Sequence, residues 1–131
     1  MNPLEAITVG MEGEDDTIVT PELTVGHHVP GMPMVYATPM MIFLMETACG
    51  STIKPYLPEG WVSVGTEVNV RHLAATPLGR TVRAKARVIS LAPGGVEFAV
   101  EAHDGTRKIG DGTHRRGLVE VAAFKKRFGV E

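Results

Sequence analysis

The chain contains a single cysteine, Cys49, so an intrachain disulfide is excluded. Cys49 also lacks the neighbouring cysteines and histidines of a zinc site, and the five histidines show neither HExxH spacing nor a zinc-like cluster. We therefore expect no catalytic metal and no other cofactor. The chain also lacks Gly-x-Ser-x-Gly and P-loop motifs, so the sequence does not support a serine hydrolase or a nucleotide-hydrolysing enzyme.

Neither sign of charge dominates, because 13 Lys and Arg face 15 Asp and Glu and the formal net charge is -2. This balance gives no basic surface for nucleic acid or an anionic membrane. The apolar run at 40–53 is shorter than the roughly 20 residues that span a bilayer, and no secretory signal is recognisable. We expect a cytoplasmic protein with a small or neutral ligand. At 131 residues it should form one domain over 1–131, with about the first 12 residues poorly ordered.

An apolar helix is predicted from Thr38 to about Lys54, since Thr-Pro is a helix-start signal and Pro55 ends it. The helix is apolar nearly all round, so other structure should wrap it. Between residues 40 and 53, Glu46 is the only ionisable group apart from the thiol of Cys49. A carboxylate in such surroundings needs a hydrogen-bond partner, a shifted protonation state or a chemical task. Glu46 is therefore the first candidate for chemistry.

After the helix, hydrophobic residues alternate with polar ones at the period of a half-buried strand. This pattern predicts strands near 62–72, 81–88, 96–103 and 106–119, after a weaker edge strand within 17–25. We expect a meander of consecutive antiparallel strands, giving an α+β fold in which the sheet curls around the central helix. His72 shares the alternation of Val64 and should point to the apolar face unless a bulge intervenes. The cations at 83, 85 and 87 should pair with Glu97 and Glu101 on the next strand.

Five segments resemble the fluoroacetyl-CoA thioesterase family over roughly residues 17–128. They are VYAT at 35–38, LMETAC at 44–49, VGTEVNVRHLAATPLG at 64–79, EAHDG at 101–105 and IGDGTHRR at 109–116. The resemblance implies a hot-dog fold, an acyl-CoA substrate, and a homodimer with active sites at the subunit interface. It also implies that Thr38, Glu46 and His72 are the catalytic residues and that the backbone amide of Gly65 faces the thioester.

The segment HHVPGMPM, which should cover the pocket, has Met32 and no phenylalanine between Gly26 and Val35, unlike the aromatic lid of the fluoroacetate-specific enzyme. Tyr36 keeps an aromatic side chain near the helix start. We therefore include Met32 and Tyr36 among the substrate-binding residues and expect a short-chain acyl-CoA thioesterase that is not specific for fluoroacetyl-CoA.

Each candidate residue also has a structural interpretation. Thr38 would cap the helix, Glu46 would be a buried hydrogen-bond acceptor, His72 a strand-end histidine, and Gly65 a point of close helix approach. Three other functions stay open: an acyl-CoA hydratase on the same fold, a non-catalytic carrier of acyl or aromatic ligands, and a structural dimerisation module.

Overall fold

The computed structural model describes residues 2–131. Five antiparallel strands form one sheet: β1 (Glu12–Ile18), β2 (Trp61–His72), β3 (Thr81–Ala92), β4 (Gly95–His103) and β5 (Lys108–Glu120). Three helices accompany it: α1 (Val25–His28), α2 (Thr38–Ile53) and α3 (Val121–Phe128). The α+β prediction, with a central helix against a curled sheet, is confirmed.

Helix α2 lies across the concave face of the sheet and forms the centre of the core. The side chains that it buries most completely are Met41, Met45, Ala48, Cys49 and Ile53. They pack against the inward-facing residues of β3 and β4, among them Val82, Val88 and Phe98. No helix among residues 2–131 is long and apolar enough to cross a membrane.

The predicted meander is correct for β3, β4 and β5 but wrong for β2. The strand order is β1-β3-β4-β5-β2, so β2 pairs with β5 at the far edge and not with β3. Residues 73–80 carry the chain across the end of the sheet, held by a hydrogen bond from the Tyr36 amide to the Thr76 carbonyl. Alternation shows which residues form strands, but it contains no information about which strands are neighbours.

The first strand lies earlier than predicted, at Glu12–Ile18, and residues 21–23 form a short 3-10 turn. The acidic sequence of β1 does not resemble a strand, yet β1 pairs along β3. Between these strands, Arg83 lies 3.3 Å from Asp16 and 3.9 Å from Glu14. The predicted partner on β4 was therefore wrong for Arg83, whereas Lys85 lies directly opposite Glu101 of β4, as predicted. Glu97 instead pairs with Arg115 of β5 at 3.2 Å. Before β1, Leu4 and Ile7 are buried in the core.

Candidate active site

Glu46 lies on the side of α2 that faces β2, directly opposite Gly65. A Cβ atom at Gly65 would lie 3.5 Å from Oε2 of Glu46 and 3.2 Å from Cε1 of His114. Glu46 is half-buried, while Gly65 is exposed. Because Gly65 has no side chain, the Glu46 carboxylate lies beside exposed backbone of the edge strand β2.

A β-bulge in β2 determines which side chains share this face. Gly65 pairs with Arg116 and Glu67 with Arg115, so one extra residue is accommodated between them. Because a bulge reverses the alternation, His72 lies on the same face as Gly65, whereas Val64 lies on the opposite face. The predicted parity of His72 with Val64 was therefore wrong, but His72 does lie on the core face of its strand, as the alternation predicted.

Thr38 and His72 contact each other at the other end of this face. The Thr38 hydroxyl lies 2.7 Å from Nδ1 of His72, a hydrogen-bond distance. The helix N-cap is Ala37, and Thr38 is not the capping residue. The helix-cap interpretation of Thr38 was therefore wrong, because its hydroxyl is engaged by the histidine.

The two ring nitrogens of His72 differ in their hydrogen bonding, because only Nδ1 contacts the Thr38 hydroxyl. Its Nε2 is buried and has no hydrogen-bond partner among residues 2–131. Burial lowers the pKa of His72, and the backbone of Ala74 opposes this shift only in part. The ring therefore favours its neutral form, which can accept or deliver a proton during a reaction.

Two basic residues that were not among the predicted site residues lie behind Glu46. Arg116 donates hydrogen bonds to Oγ and the carbonyl oxygen of Ser63, both at 2.8 Å, and a third to Nε2 of His114 at 3.2 Å. Burial lowers the pKa of Arg116, while the nearby Glu46 and Cys49 oppose this shift. The guanidinium thus places positive charge near the Glu46 carboxylate, while its hydrogen bonds go to other groups.

Cys49 lies one helical turn after Glu46, within the core. Burial is the main cause that raises the pKa of its thiol to about 12, with Arg116 opposing and Glu46 adding to the shift. A thiol with so high a pKa forms almost no thiolate near neutral pH, so it is a poor nucleophile.

Within one chain, the two pairs of site residues remain apart. The structure joins Glu46 with Gly65, and Thr38 with His72. Thr38 and Glu46 are eight residues apart on one helix, which corresponds to an axial rise of about 12 Å. A single small substrate group cannot contact both pairs in one subunit.

Tyr36 and Met32 lie away from Glu46. Tyr36 is 2% exposed, and its hydroxyl donates a 3.1 Å hydrogen bond to the Met40 carbonyl; burial raises its pKa to about 12. It lines a cavity of about 260 Å³ between α2 and β1, whose lining also includes Asp15 and Phe43. Met32 is exposed in the turn after α1. Substrate contacts by these two residues remain predictions.

A pattern in the sequence could have identified His114 and Arg116. Both alternate with Leu118 along β5, so the period of two places them on the core face of that strand. Polar residues on a core face need specific partners, which is the same argument that selected Glu46.

The comparisons with known proteins agree on one family. Residues 19–122 match the fluoroacetyl-CoA-specific thioesterase family (FlK). The chain is 39% identical over 126 residues to the fluoroacetyl-CoA thioesterase of Streptantibioticus cattleyicolor, covering 92% of this chain and 91% of that protein. This chain belongs to that thioesterase family. The family resemblance noted in the sequence is confirmed, and with it the assignment to the acyl-CoA thioesterases.

Solved structures show the same architecture. A variant of the fluoroacetyl-CoA-specific thioesterase in complex with fluoroacetate and CoA is 40% identical, with a TM-score of 0.84 over 90% of this chain and 99% of that chain. A hot-dog-like protein from Thermanaerovibrio acidaminovorans is 25% identical, with a TM-score of 0.88 over 98% of this chain and 96% of that chain. The hot-dog fold is therefore confirmed.

Proposed function

We propose that this protein hydrolyses small acyl thioesters of coenzyme A to the free acid and CoA, with Glu46 as the central catalytic group. The observation that carries this proposal is the Glu46 carboxylate beside the bare backbone of Gly65. Thioester hydrolysis needs a nucleophile or base next to the carbonyl carbon and a hydrogen-bond donor next to its oxygen. We assign the first role to the carboxylate of Glu46 and the second to the backbone N–H of Gly65 beside it.

Two routes use these residues. In the first, Glu46 attacks the thioester carbonyl, the C–S bond breaks to release the CoA thiolate, and water then hydrolyses the resulting anhydride. In the second, Glu46 removes a proton from a water molecule that attacks the carbonyl directly. In both routes the amide of Gly65 stabilises the oxyanion and Thr38 orients the reacting groups. His72 protonates the departing thiolate or activates the hydrolytic water.

The two edges of the sheet support a homodimer formed through β2. An exposed edge strand pairs readily with another chain unless charged residues protect it. The β1 edge is protected by Glu12, Glu14 and Asp16. The β2 edge is twelve residues long and exposes Val62 (42%) and Val68 (44%). We therefore expect β2 to pair with the same strand of a second subunit.

Such pairing would complete the active site. If two β2 strands pair antiparallel about a two-fold axis at Asn69, residues equally far from the axis become neighbours, with Gly65 to Glu67 counted as one step because of the bulge. Gly65 and His72 lie on the same face on either side of that point. The Thr38 and His72 pair of the partner subunit would then approach Glu46 and Gly65. The two pairs of site residues, which are separated within one chain, would then meet across the dimer interface.

Subunit mixing tests the shared site. Co-expression of Glu46→Gln and His72→Ala chains with different tags gives dimers of which about half are hybrids, and each hybrid contains one intact site of two. We expect about a quarter of wild-type activity in the mixture, although each variant alone is inactive. A mixture as inactive as its components, with hybrids recovered by the two tags, would place all catalytic residues in one subunit.

Substrate choice should be broader than fluoroacetyl-CoA. Met32 occupies a turn before α2 where no phenylalanine lies between Gly26 and Val35. Methionine is flexible and adapts to ligands of different shape, so it discriminates less than a rigid aromatic ring. We expect acetyl-CoA and other short acyl-CoAs to be hydrolysed with efficiencies within about tenfold of fluoroacetyl-CoA, or about 1.4 kcal/mol in transition-state free energy.

The proposed function is tested by thiol release from a panel of acyl-CoAs, from acetyl through phenylacetyl and including fluoroacetyl. His72→Ala should abolish turnover, whereas His103→Ala, on the outer face of the sheet beside Glu101, should leave it unchanged. Release of thiol from no member of the panel by an intact dimer would contradict the enzyme and favour a ligand carrier.

A further inference from the structure

His114 is an almost fully buried histidine in the middle of β5, with 1% of its surface exposed. Its Nδ1 lies 2.8 Å from the carbonyl oxygen of Glu67, and its Nε2 lies 3.2 Å from Nη1 of Arg116. A carbonyl oxygen can only accept a hydrogen bond and a guanidinium can only donate one. The two partners therefore require a neutral imidazole with its proton on Nδ1 and a lone pair on Nε2.

These hydrogen bonds span the bulge of β2. Glu67 is the residue at which the register with β5 resumes after the bulge. On the other side of the bulge, Arg116 is bound to the hydroxyl and the carbonyl oxygen of Ser63. His114 and Arg116 thus connect Ser63 to Glu67 across Gly65, through side chains that lie under the bulge.

The imidazole also contacts the position where the proposed oxyanion donor lies. Its Cε1 would be 3.2 Å from a Cβ atom at Gly65, which is closer than an ordinary van der Waals contact. The ring therefore fills the space beneath Gly65 and limits how far this backbone can move toward the core.

We infer that His114 is a positioning residue for the proposed thioesterase reaction: it holds the bulge of β2 so that the Gly65 backbone faces Glu46. This inference rests on the proposed function, because it assigns a role to the residue that supports the proposed oxyanion donor. An apolar side chain of similar size would fill the same volume without connecting Ser63 to Glu67.

The charges around His114 explain why its neutral form is needed. Burial is the main cause that lowers the pKa of His114. Arg116 on β5 also lowers this pKa and Glu46 on α2 raises it, while Cys49 on α2 acts on the pKa of Arg116. Protonation would direct an Nε2–H toward the N–H of Arg116 and break this hydrogen bond. Activity should then fall at acidic pH while the protein remains folded.

The tautomer can be measured on the wild-type protein. In ¹⁵N-histidine-labelled protein at pH 7.5, the ring nitrogens of His114 should show a protonated Nδ1 and an unprotonated Nε2. A proton on Nε2, or a doubly protonated ring at this pH, would overturn the inference without any substitution or activity assay.

Three variants separate positioning from packing. His114→Leu removes both hydrogen bonds, while His114→Gln keeps one donor and one acceptor at similar spacing. Phe98→Leu is the matched control, because Phe98 is buried directly opposite His114 on β4. We expect His114→Leu to lower kcat by roughly tenfold to a hundredfold with KM changed less than about threefold. His114→Gln should recover most of the loss, and Phe98→Leu should lower the Tm but keep kcat.

The outcomes distinguish the inference from the proposed function. A His114→Leu protein that folds and keeps wild-type kcat would overturn the inference while the thioesterase function stands. A wild-type protein without acyl-CoA turnover would contradict the proposed function. Amide hydrogen exchange would then still test whether His114 holds the bulge of β2. Exchange at Gly65 and Glu67 should accelerate in His114→Leu but not in Phe98→Leu. If the leucine variant does not fold, the tautomer of the wild-type protein decides.

Discussion

Gly65 is the residue whose missing side chain most affects the candidate site. Any β-carbon there would press against His114 and come within 3.5 Å of the Glu46 carboxylate. The backbone at Gly65 has an ordinary negative φ, so the constraint is the space that a side chain would occupy and not the conformation of the chain. This position can therefore be changed without backbone strain.

Substituting Gly65 by alanine should impair catalysis more than stability. The added methyl group would press against the buried ring of His114, which would have to move by a few tenths of an ångström, and it would narrow the approach to the amide beside Glu46. We expect kcat/KM to fall by about tenfold, because small displacements of reacting groups are costly, while the Tm changes by only a few degrees. Gly95→Ala is the control, since its Cβ would meet only an ordinary contact at 3.6 Å. Equal activity of both variants would show that the space beside Gly65 is not used.

His72 and His114 should make stability depend on pH. Burial lowers the pKa of each below that of the unfolded chain, so the unfolded state takes up protons first as the pH falls. Stability is therefore full above about pH 6.5 and is lost as the pH falls toward the folded-state pKa values. Thermal unfolding from pH 7.5 to 5.5 should show a falling Tm, with a smaller decrease in His72→Gln. The control variant His27→Gln, at an exposed residue of α1, should retain the wild-type decrease. A Tm independent of pH would contradict the buried neutral state.

The site residues differ in how far the sequence could reveal them. Glu46 stood out because a lone carboxylate in an apolar helix is chemically unusual, and the family motifs added Thr38, His72 and Gly65. The contact between Thr38 and His72 could not be derived, since the residues are 34 positions apart and meet only in the folded chain. Arg116 was missed although it alternates with the buried Leu118 along β5, because a cation on a strand was taken for a solvent-facing residue.

At the scale of the elements, the β4–β5 hairpin depends on one buried carboxylate. Asp104 accepts 3.0 Å hydrogen bonds from the amides of Thr106 and Arg107 and another from the Thr76 hydroxyl at 3.2 Å. Burial alone would raise its pKa, but these hydrogen bonds outweigh burial and lower the pKa. The hairpin is thus held to the segment that connects β2 to β3.

Asp104→Ala should destabilise the protein by about 1–3 kcal/mol, because two backbone amides and the buried Thr76 hydroxyl would lose their acceptor. Asp16→Ala, which removes an exposed partner of Arg83, should cost less than about 1 kcal/mol. Chemical denaturation at pH 7 measures both. Since the folded-state pKa of Asp104 is lowered, the difference between Asp104→Ala and wild type should shrink as the pH falls below about 4. A difference that persists at pH 2.5 would mean that ionisation of Asp104 does not matter.

The elements themselves were largely predictable, but their arrangement was not. Helix α2 follows from its start signal and its apolar composition, and strands β2 to β5 follow from hydrophobic alternation, although no side chain of β2 is fully buried within one chain. The strand β1 escaped prediction, since its alternate exposed positions are acidic and it is held by backbone pairing with β3. The bulge in β2 could not be predicted from the hydrophobic pattern either, because one extra residue moves every later side chain of the strand to the opposite face.

For the whole molecule, the unequal edges of the sheet predict the dimer contact. Val68→Lys places a charge in the proposed β2 interface and should shift sedimentation from a species of about twice 14.1 kDa toward the monomer. Ile18→Lys is the matched control, because Ile18 is also an exposed apolar residue but lies on β1 at the opposite edge. Activity should fall with the dimer in Val68→Lys only. A fully dimeric and active Val68→Lys protein would place the interface elsewhere.

The proposed mechanism depends most directly on the carboxylate of Glu46. Glu46→Gln keeps the size and hydrogen-bonding capacity of the side chain but removes its charge and its nucleophilicity. Thiol release from the best acyl-CoA of the panel should fall by at least about a thousandfold, or about 4 kcal/mol, in a variant whose dimer mass and Tm match wild type. Wild-type rates of thiol release from Glu46→Gln would contradict the proposed mechanism.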